Sequence, residues 1–368
     1  MPSGIQGIAS ESPALNSHGP PPRIGRRQAA GAAMLLAARP AAAQTDTASW
    51  AAFKSQFITA EGRVVDTGNA GISHSEGQGW GMLLAVSEND EPTFNALWQW
   101  TARTLRRSQD PLHSWRYRPN AGVGVDDPNN ATDGDIYIAW ALANAARRWN
   151  RSQLRDSAAR IAQALLGLCT LRIGEMLVLL PGVNGFATAT EVTLNPSYFV
   201  FPAFRVFAEI APDPRWGRLE RDSLQLIDRG RFGVWQLPPD WLSLQRATGD
   251  MQPAQNWPPR FGFDAVRVPL LVGWGRYADA AILAAARRFW SSGGAGGGPP
   301  AWVDLRSAEV APYRASEGVL AVARLTEALV QGHRFPQLGA PVVTADYYAS
   351  TLSLLAQIAA RDIAQGVP

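Results

Sequence analysis

The chain has 368 residues, of which 46% are hydrophobic and 18% are charged, so it is long enough to bury a large core. Its formal net charge of +3 arises in residues 1–43, which hold four arginines and one glutamate, and the remainder is neutral. A neutral remainder argues against nucleic acid or an anionic membrane surface as the main partner. The single cysteine, Cys169, excludes an internal disulfide, and four scattered histidines without paired spacing argue against a zinc site.

The first 43 residues have the pattern of a disordered leader and signal peptide. Residues 1–22 are rich in proline, serine and glycine, and Arg26-Arg27 precede the short apolar run 29–38. Residues 41–43 supply an A-x-A cleavage site, and the apolar run is too short to span a bilayer. We therefore expect a single domain, residues 45–368, in the periplasm or secreted and not inserted in the membrane. Twin-arginine export is one candidate route, and an alanine-rich disordered leader is the alternative to a signal peptide.

Helical periodicity dominates the rest of the chain. Apolar residues recur at helical spacing in eight stretches separated by Pro, Gly, Asn and Asp: 80–87, 92–106, 136–149, 154–166, 266–275, 278–290, 317–330 and 346–363. The run Met176–Leu180, which ends at Pro181-Gly182, predicts a strand and a short β-hairpin within 175–190. These patterns predict one all-α domain of stacked helical hairpins. Periodicity alone leaves a ring, a solenoid and a bundle open.

Three carboxylates stand out in glycine-containing segments. Glu76 lies in S-H-S-E-G-Q-G-W-G-M, a setting that can keep a carboxyl group partly dry and suit it to donate a proton. Asp133 and Asp135 precede the helix expected near 136, where Asp135 is placed as an N-cap and Asp133 is free for another role. Asp264 also precedes a helix, either as an N-cap or as an ion-pair partner that Arg267 keeps ionised.

The aromatic content favours a sugar substrate. The chain has 14 tryptophans, and several are expected in loops or at helix ends: Trp80, Trp115, Trp241, Trp257 and Trp302. Flat aromatic faces stack on sugar rings, although core packing is the alternative for each one. Hydrolysis of a sugar bond needs one protonated and one ionised carboxyl group on its two sides. Glu76 and Asp264 fit that division, but the sequence does not provide their separation.

At this point the motifs resemble glycoside hydrolase family 8, and most closely the bacterial endoglucanases that accompany cellulose synthase. The motifs occur in family order over most of residues 50–275: S-E-G-Q at 75–78, A-T-D-G-D at 131–135, P-G-V-N-G-F at 181–186, N-P-S-Y at 195–198 and F-D-A-V-R at 263–267. Beyond about residue 290 the match is weak. The resemblance implies an (α/α)6 barrel of alternating inner and outer helices. It also implies internal cleavage of β-1,4-glucan with inversion, without a metal or organic cofactor.

The resemblance also implies roles for individual residues. Glu76 matches the general acid and Asp264 the general base that activates water. Four further positions are implied to bind substrate or water: Asp133 to the distorted sugar beside the scissile bond, Tyr198 to the attacking water, Arg267 to substrate or the base, and Trp115 as a stacking platform. The family usually has Tyr where this chain has Phe263, so one hydroxyl near the base is lost. The implied partners are a β-1,4-glucan and, functionally, a cellulose synthase complex.

Several alternatives remain open. A non-catalytic glycan-binding protein that assists polysaccharide export would use the same aromatic residues, but binding alone would not require three intact carboxylate motifs. A family 8 hydrolase could instead act on xylan, chitosan or mixed-linkage glucan. A polysaccharide lyase on a similar helical toroid is disfavoured, because lyases usually bind uronates in a basic cleft and this chain is neutral after residue 43.

Overall fold

Eleven α-helices dominate the residues described by the computed structural model, which are 41–119, 122–294 and 297–366, with the backbone alone for 41–46. In chain order they are α1 (Ala41–Phe57), α2 (Ser75–Ser87), α3 (Glu91–Thr104), α4 (Thr132–Trp149), α5 (Ser152–Leu168), α6 (Phe201–Ile210), α7 (Pro214–Arg229), α8 (Arg267–Trp274), α9 (Ala281–Ser291), α10 (Glu317–Val330) and α11 (Tyr347–Gln365). None of these helices is long and apolar enough, among the described residues, to cross a membrane.

Short antiparallel strands connect the helices. They are β1 (Ser73–His74) with β2 (Arg116–Tyr117), β3 (Thr170–Ile173) with β4 (Met176–Leu179), β5 (Glu191–Leu194) with β6 (Leu242–Gln245) and β7 (Met251–Pro253), and β8 (Arg260–Phe261) with β9 (Val303–Asp304). Strand β1 leads directly into α2, and β8 is followed by the loop that carries Asp264. The strands therefore help to fix the segments that carry the candidate site.

The helices form a closed ring of inner helices with an outer layer. Helices α2, α4, α6, α8, α10 and α11 each contact the next one, and α11 returns to α2. Helices α1, α3, α5, α7 and α9 pack outside them, while residues 331–346, between α10 and α11, contain no helix. The inner α4 buries residues on all sides, whereas the outer α5 buries one stripe at helical spacing. This is the (α/α)6 barrel that the resemblance implies.

Inner helices begin at one end of the barrel, which we call the N-terminal face. A Cβ added to Gly134 at the start of α4 would lie 2.0 Å from Ser75 Oγ and 2.7 Å from Glu76 N at the start of α2. A Cβ added to Gly318 would likewise lie 2.3 Å from Ala349 O, where α10 and α11 begin. Helix starts carry unpaired N–H groups and a partial positive charge, which favour carboxylates at this face.

All eight predicted helical stretches are helices, and α1, α6 and α7 are additional. The hairpin differs from its prediction. The predicted strand exists as β4, but its partner β3 precedes it, and the turn contains Gly174 at a φ of +54°. The hairpin therefore spans 170–179 and only overlaps the predicted 175–190. Residues 1–40 lie outside the described residues, so the leader and signal peptide stay predictions.

Candidate active site

A single guanidinium joins the three predicted carboxylates. Arg267, the first residue of α8, is buried, and its Nη1 contacts Glu76 Oε1 and lies 3.8 Å from Asp133 Oδ2. Its Nη2 lies 2.6 Å from Asp264 Oδ1 and donates a hydrogen bond of 2.8 Å to Ser197 Oγ. The structure therefore brings together residues that are as far apart in sequence as 76 and 267.

Glu76 lies in the first turn of α2, and the start of that helix is fixed by His74. The Nδ1 of His74 accepts a hydrogen bond of 2.9 Å from the Gly77 N–H, while its Nε2 lies 3.4 Å from Asp66 Oδ2. With Nδ1 as acceptor, Nε2 carries the proton and points toward the carboxylate. The Glu76 side chain is 17% exposed, so it is open to a substrate but largely shielded from water.

The glutamine of the S-E-G-Q motif anchors the same helix from behind. Gln78 is fully buried, and its Oε1 accepts a hydrogen bond of 2.6 Å from the Val64 N–H. Its Nε2 donates to Gly62 O at 3.1 Å and to Thr101 Oγ1 at 2.8 Å. Because both ends of this amide are satisfied in the core, Gln78 ties α2 to the loop before it and to α3.

Asp133 occupies the first turn of α4 and is 2% exposed. Its Oδ1 accepts a hydrogen bond of 2.8 Å from the Gly134 N–H. Burial raises the pKa of Asp133 to about 7, although this hydrogen bond opposes the rise. Asp133 is therefore partly protonated near neutral pH and can donate or accept a hydrogen bond with a sugar hydroxyl.

The N-cap prediction for Asp135 is wrong. Helix α4 begins at Thr132, and its N-cap, Ala131, makes no side-chain cap, so Asp135 lies inside the helix. Its buried carboxylate is 2.9 Å from both the backbone N and the Nδ1 of His113, and it accepts a hydrogen bond of 3.0 Å from Asn130 Nδ2. Asp135 therefore holds the loop before α4 against the helix.

Asp264 lies in the loop between β8 and α8 and is not an N-cap, because the cap residue of α8 is Val266, which makes no side-chain cap. The predicted ion pair with Arg267 is present. The expected electrostatic result is wrong, since the pKa of Asp264 is raised well above its ordinary value. Desolvation by the surrounding protein is the main cause, although 31% of the side chain remains exposed, and the nearby Asp240 and Asp133 carboxylates follow.

Tyr198 stands beside these acids. It ends the 3₁₀ helix Pro196–Tyr198, and its pKa is raised by burial and by the Asp133 and Asp264 carboxylates, so its hydroxyl stays protonated. Its ring packs edge-on against Trp241, with 6.3 Å between ring centroids. The hydroxyl is therefore available as a hydrogen-bond donor between the two carboxylates.

The tryptophans have different roles from one another. Trp241 is stacked between two rings, with centroid distances of 5.9 Å to Phe186 and 4.6 Å to Trp257. Trp115 is half-buried, its Nε1 donates to Asp127 at 2.8 Å, and its backbone O accepts a hydrogen bond of 3.0 Å from Ser75 N. These contacts place Trp115 beside the start of α2, where a stacking platform would adjoin Glu76.

The prediction of a wet aromatic face is wrong for Trp80. This residue lies in α2 and is completely buried. The Arg267 guanidinium lies over its ring at 5.5 Å, a cation–π contact. Trp80 lies inside α2 and not in a loop, so its ring is buried in the barrel. There it packs against the Arg267 guanidinium and supports it.

Three residues at the site are absent from the sequence predictions: Ser197, Asp240 and Tyr348. Ser197 binds Arg267 and belongs to the N-P-S-Y motif, which could have indicated it. The Tyr348 hydroxyl, in α11, donates to the Phe263 carbonyl beside Asp264. A lone tyrosine in a helical pattern gives no such signal. Tyr348 lies where the family resemblance is weak.

The charges of the site are unbalanced. Glu76, Asp133 and Asp264 face one guanidinium, which can neutralise one of them. Burial opposes the remaining negative charge, and this opposition explains the raised pKa values of both aspartates. Such a group of acids retains a proton at pH values where exposed carboxylates have lost theirs.

The chemistry belongs to the N-terminal face. A cavity of about 560 Å³, lined by residues from the second halves of α2, α4 and α11, holds none of the three carboxylates. We therefore place the candidate site in the partly open region around Arg267. In the part of the chain that the structure describes, no three His, Cys, Asp or Glu side chains are grouped as a metal site requires.

Comparisons with known sequences identify close relatives. A sequence model described as "Glycosyl hydrolases family 8" matches residues 24–362. A probable endoglucanase of Novacetimonas hansenii is 43% identical over 311 residues, which are 84% of this chain and 89% of the relative. An endoglucanase of Cellulomonas uda is 42% identical over 278 residues, which are 76% of this chain and 77% of the relative.

Comparisons with solved structures agree. An endo-beta-1,4-glucanase from Acetobacter xylinum has a TM-score of 0.80 and 43% identity, covering 88% of this chain and 99% of that one. Endoglucanase Cel10 of Klebsiella pneumoniae, a family 8 glycosyl hydrolase, has a TM-score of 0.80 and 41% identity, covering 86% and 99%. A beta-1,3-1,4-glucanase from Paenibacillus, at 19% identity and a TM-score of 0.69 over 86% and 90% of the chains, shares the fold alone.

Proposed function

Because this chain belongs to glycosyl hydrolase family 8 and is an endo-β-1,4-glucanase, we propose that it hydrolyses β-1,4-glucan with inversion, with Glu76 as the proton donor and Asp264 as the base. The observation that carries this proposal is the convergence of both carboxylates on the Arg267 guanidinium, at the face where the inner helices begin. Two carboxyl groups in one partly buried site are what acid-and-base hydrolysis of a glycosidic bond requires.

Each proton has a donor and an acceptor in this scheme. Glu76 gives its proton to the glycosidic oxygen as the bond from that oxygen to C1 breaks. A water molecule attacks C1 from the opposite face, and Asp264 takes the water proton. Glu76 ends ionised and Asp264 ends protonated, so the negative charge moves from one residue to the other. Because Arg267 contacts both residues, the cation adjoins the ionised one before and after the reaction.

The remaining site residues bind the substrate and the attacking water in this proposal. Asp133 holds the distorted sugar beside the scissile bond. Because its pKa is about 7, its carboxyl group can either donate a hydrogen bond to a sugar hydroxyl or accept one from it. Tyr198, beside Asp133 and Asp264, positions the water. Trp115, beside the start of α2, provides an aromatic face for a neighbouring glucosyl unit.

The stereochemical outcome tests the mechanism directly. Proton NMR of the first products from a soluble β-1,4-glucan should show the α-anomer before mutarotation. Initial β-anomer would mean that a covalent intermediate forms and that Asp264 is not a base acting on water. The products from carboxymethyl-cellulose, xylan, chitosan and mixed-linkage glucan, compared at equal enzyme concentration, test whether β-1,4-glucan is the preferred substrate.

We also propose that the protein is exported and acts in the periplasm or outside the cell. The support is the short apolar run after Arg26-Arg27 and the alanines at 41–43. N-terminal sequencing of the protein from the periplasmic fraction should begin near Gln44. Functional association with a cellulose synthase complex rests on the resemblance alone, and co-purification with the synthase subunits under native conditions tests it.

A further inference from the structure

We propose that Asp240 is the positioning residue of the catalytic base, because its carboxylate fixes the backbone of the loop that carries Asp264. This inference rests on the proposed function, since it takes Asp264 as the base. Asp240 lies in P-P-D-W, just before β6, and is distant in sequence from the residues that it holds. Its carboxylate contacts the backbone of the Asp264 loop and Arg260, so we expect any effect on the reaction to act through Asp264.

The geometry is specific. The Oδ1 of Asp240 accepts hydrogen bonds from three backbone N–H groups, those of Gly262 at 3.0 Å, Asp264 at 3.0 Å and Ala265 at 2.8 Å. A turn whose amides point at one carboxylate oxygen has little freedom to move, and charge-assisted hydrogen bonds are stronger than neutral ones. Two of the three amides belong to the base itself and to the residue after it.

Asp240 is itself held rigidly. It is 6% exposed, and its backbone N donates to Arg260 O at 2.8 Å. Its Oδ2 lies 3.5 Å from Arg260 Nε. A Cβ added to Gly262 would lie 2.9 Å from that same oxygen, so the close approach of the loop requires a glycine there. The carboxylate therefore connects the start of β6 to the loop between β8 and α8.

Asp240 also acts on the base electrostatically. The charged and titratable groups that face Asp264 are Arg267, Asp240, Asp133, Tyr198 and Tyr348. Burial raises the pKa of Asp240, while the three backbone N–H groups and Arg260 oppose that rise and favour its ionised form. In that form the Asp240 charge raises the pKa of Asp264, which makes the ionised base more basic. Replacing Asp240 with Asn removes this charge but leaves an oxygen that can still accept hydrogen bonds from the loop.

The experiment compares Asp240→Asn and Asp240→Ala in the full-length protein. We expect Asp240→Ala to lower kcat by about 100-fold with little change in KM, because a loop without this anchor shifts the Asp264 carboxylate relative to the attacking water. We expect Asp240→Asn to lower kcat less and to move the acidic limb of the pH profile of kcat to lower pH. Asp304→Ala is the matched control, because Asp304 Oδ1 also accepts two backbone N–H groups, from Arg306 and Ser307, at 2.8 Å each.

A double mutant separates positioning of the base from general support of the fold. On an Asp264→Asn background, Asp240→Ala should cost little further activity, since the base through which it acts is already absent. A full additional 100-fold loss on that background, or an unchanged kcat and acidic limb in Asp240→Asn, would overturn the inference. If Asp240→Ala fails to fold, Asp240→Asn decides alone. If Asp264→Asn is itself fully active, the proposed function fails instead, so the two failures are distinguishable.

Discussion

Arg267 and Glu76 form an ion pair between the starts of α8 and α2, 191 positions apart in sequence. Glu76 is the proposed proton donor, and this contact occupies one terminal nitrogen of the guanidinium. Arg267 has a second carboxylate, Asp264, on its other terminal nitrogen. The proposed proton donor and the proposed base therefore share one cation, so a group that displaces one carboxylate from the guanidinium leaves the other in contact with it.

Replacing Glu76 with Gln removes the carboxyl group that we propose as the proton donor. We expect kcat/KM on carboxymethyl-cellulose to fall by about 100-fold to 10,000-fold, the usual contribution of general acid catalysis. A cello-oligosaccharide with a 2,4-dinitrophenyl leaving group needs no protonation, so on that substrate the loss should be much smaller. Glu175→Gln is the control, because that side chain is 88% exposed in the turn between β3 and β4. Equal losses on both substrates would assign Glu76 a different role.

Replacing Asp264 with Asn removes the carboxylate that we propose as the base. We expect a loss of about 100-fold to 10,000-fold in kcat, and partial recovery when sodium azide is added, because azide attacks C1 without surrendering a proton. The recovered product should be the α-glycosyl azide, identified by mass spectrometry and NMR. Asp250→Asn, an exposed residue of the β6–β7 turn, should behave as the parent protein does. A β-glycosyl azide would contradict the inverting geometry.

Asp133 should make stability depend on pH. Its pKa is about 7 in the folded protein and about 4 in an unfolded chain, so between these values the folded state keeps a proton that the unfolded state has lost. The free energy of unfolding therefore falls as pH rises from 4 to 7, and Asp133→Asn removes that part of the fall. Urea unfolding at pH 5, 6, 7 and 8 should show that the free energy of unfolding of the variant rises relative to that of the parent as the pH increases. Asp156 is exposed on α5, so the free energy of unfolding of Asp156→Asn should have the same pH dependence as that of the parent.

Replacing Arg267 with Met leaves buried carboxylates without their cation. We expect a loss of about 3–5 kcal/mol in the free energy of unfolding at pH 7, the usual cost of breaking a buried ion pair. The loss should be smaller at pH 5, where the acids are more protonated. Arg246→Met, an exposed arginine that donates to Thr188 O, should change stability by about 0.5 kcal/mol or less. A loss that is the same at both pH values would show that packing, not charge, explains it.

Much of the fold follows from local patterns. The apolar residues of α5, α10 and α11 recur at helical spacing, so these helices are predictable from the sequence. The closure of the helices into a ring is not predictable in this way, because periodicity does not indicate which helices pack against each other. Helix α6 is short, with ten residues, and Pro202 in its first turn is a residue that breaks helices elsewhere, so local patterns do not predict it.

The acids were predictable and their environment was not. Glu76, Asp133 and Asp264 stand in short motifs, whereas the contact of Arg267 with Glu76 depends on the meeting of two distant helix starts. The N-cap prediction for Asp135 is wrong because its carboxylate has buried partners instead. They are His113, which is remote in sequence, and Asn130, which lies in the loop before α4. Local preference for a cap yields to burial when such partners exist.

The spacing of Glu76 and Asp133 is set by main chain rather than by side chains. Gly134 brings the start of α4 so near to Ser75 and Glu76 that a single methyl group would collide with both. We therefore expect substitutions deeper in the barrel to change its volume without moving Glu76 relative to Asp133. Directed evolution of this enzyme toward a new glycan should accept changes in the aromatic loops freely, whereas libraries that randomise Gly134 should return almost only glycine.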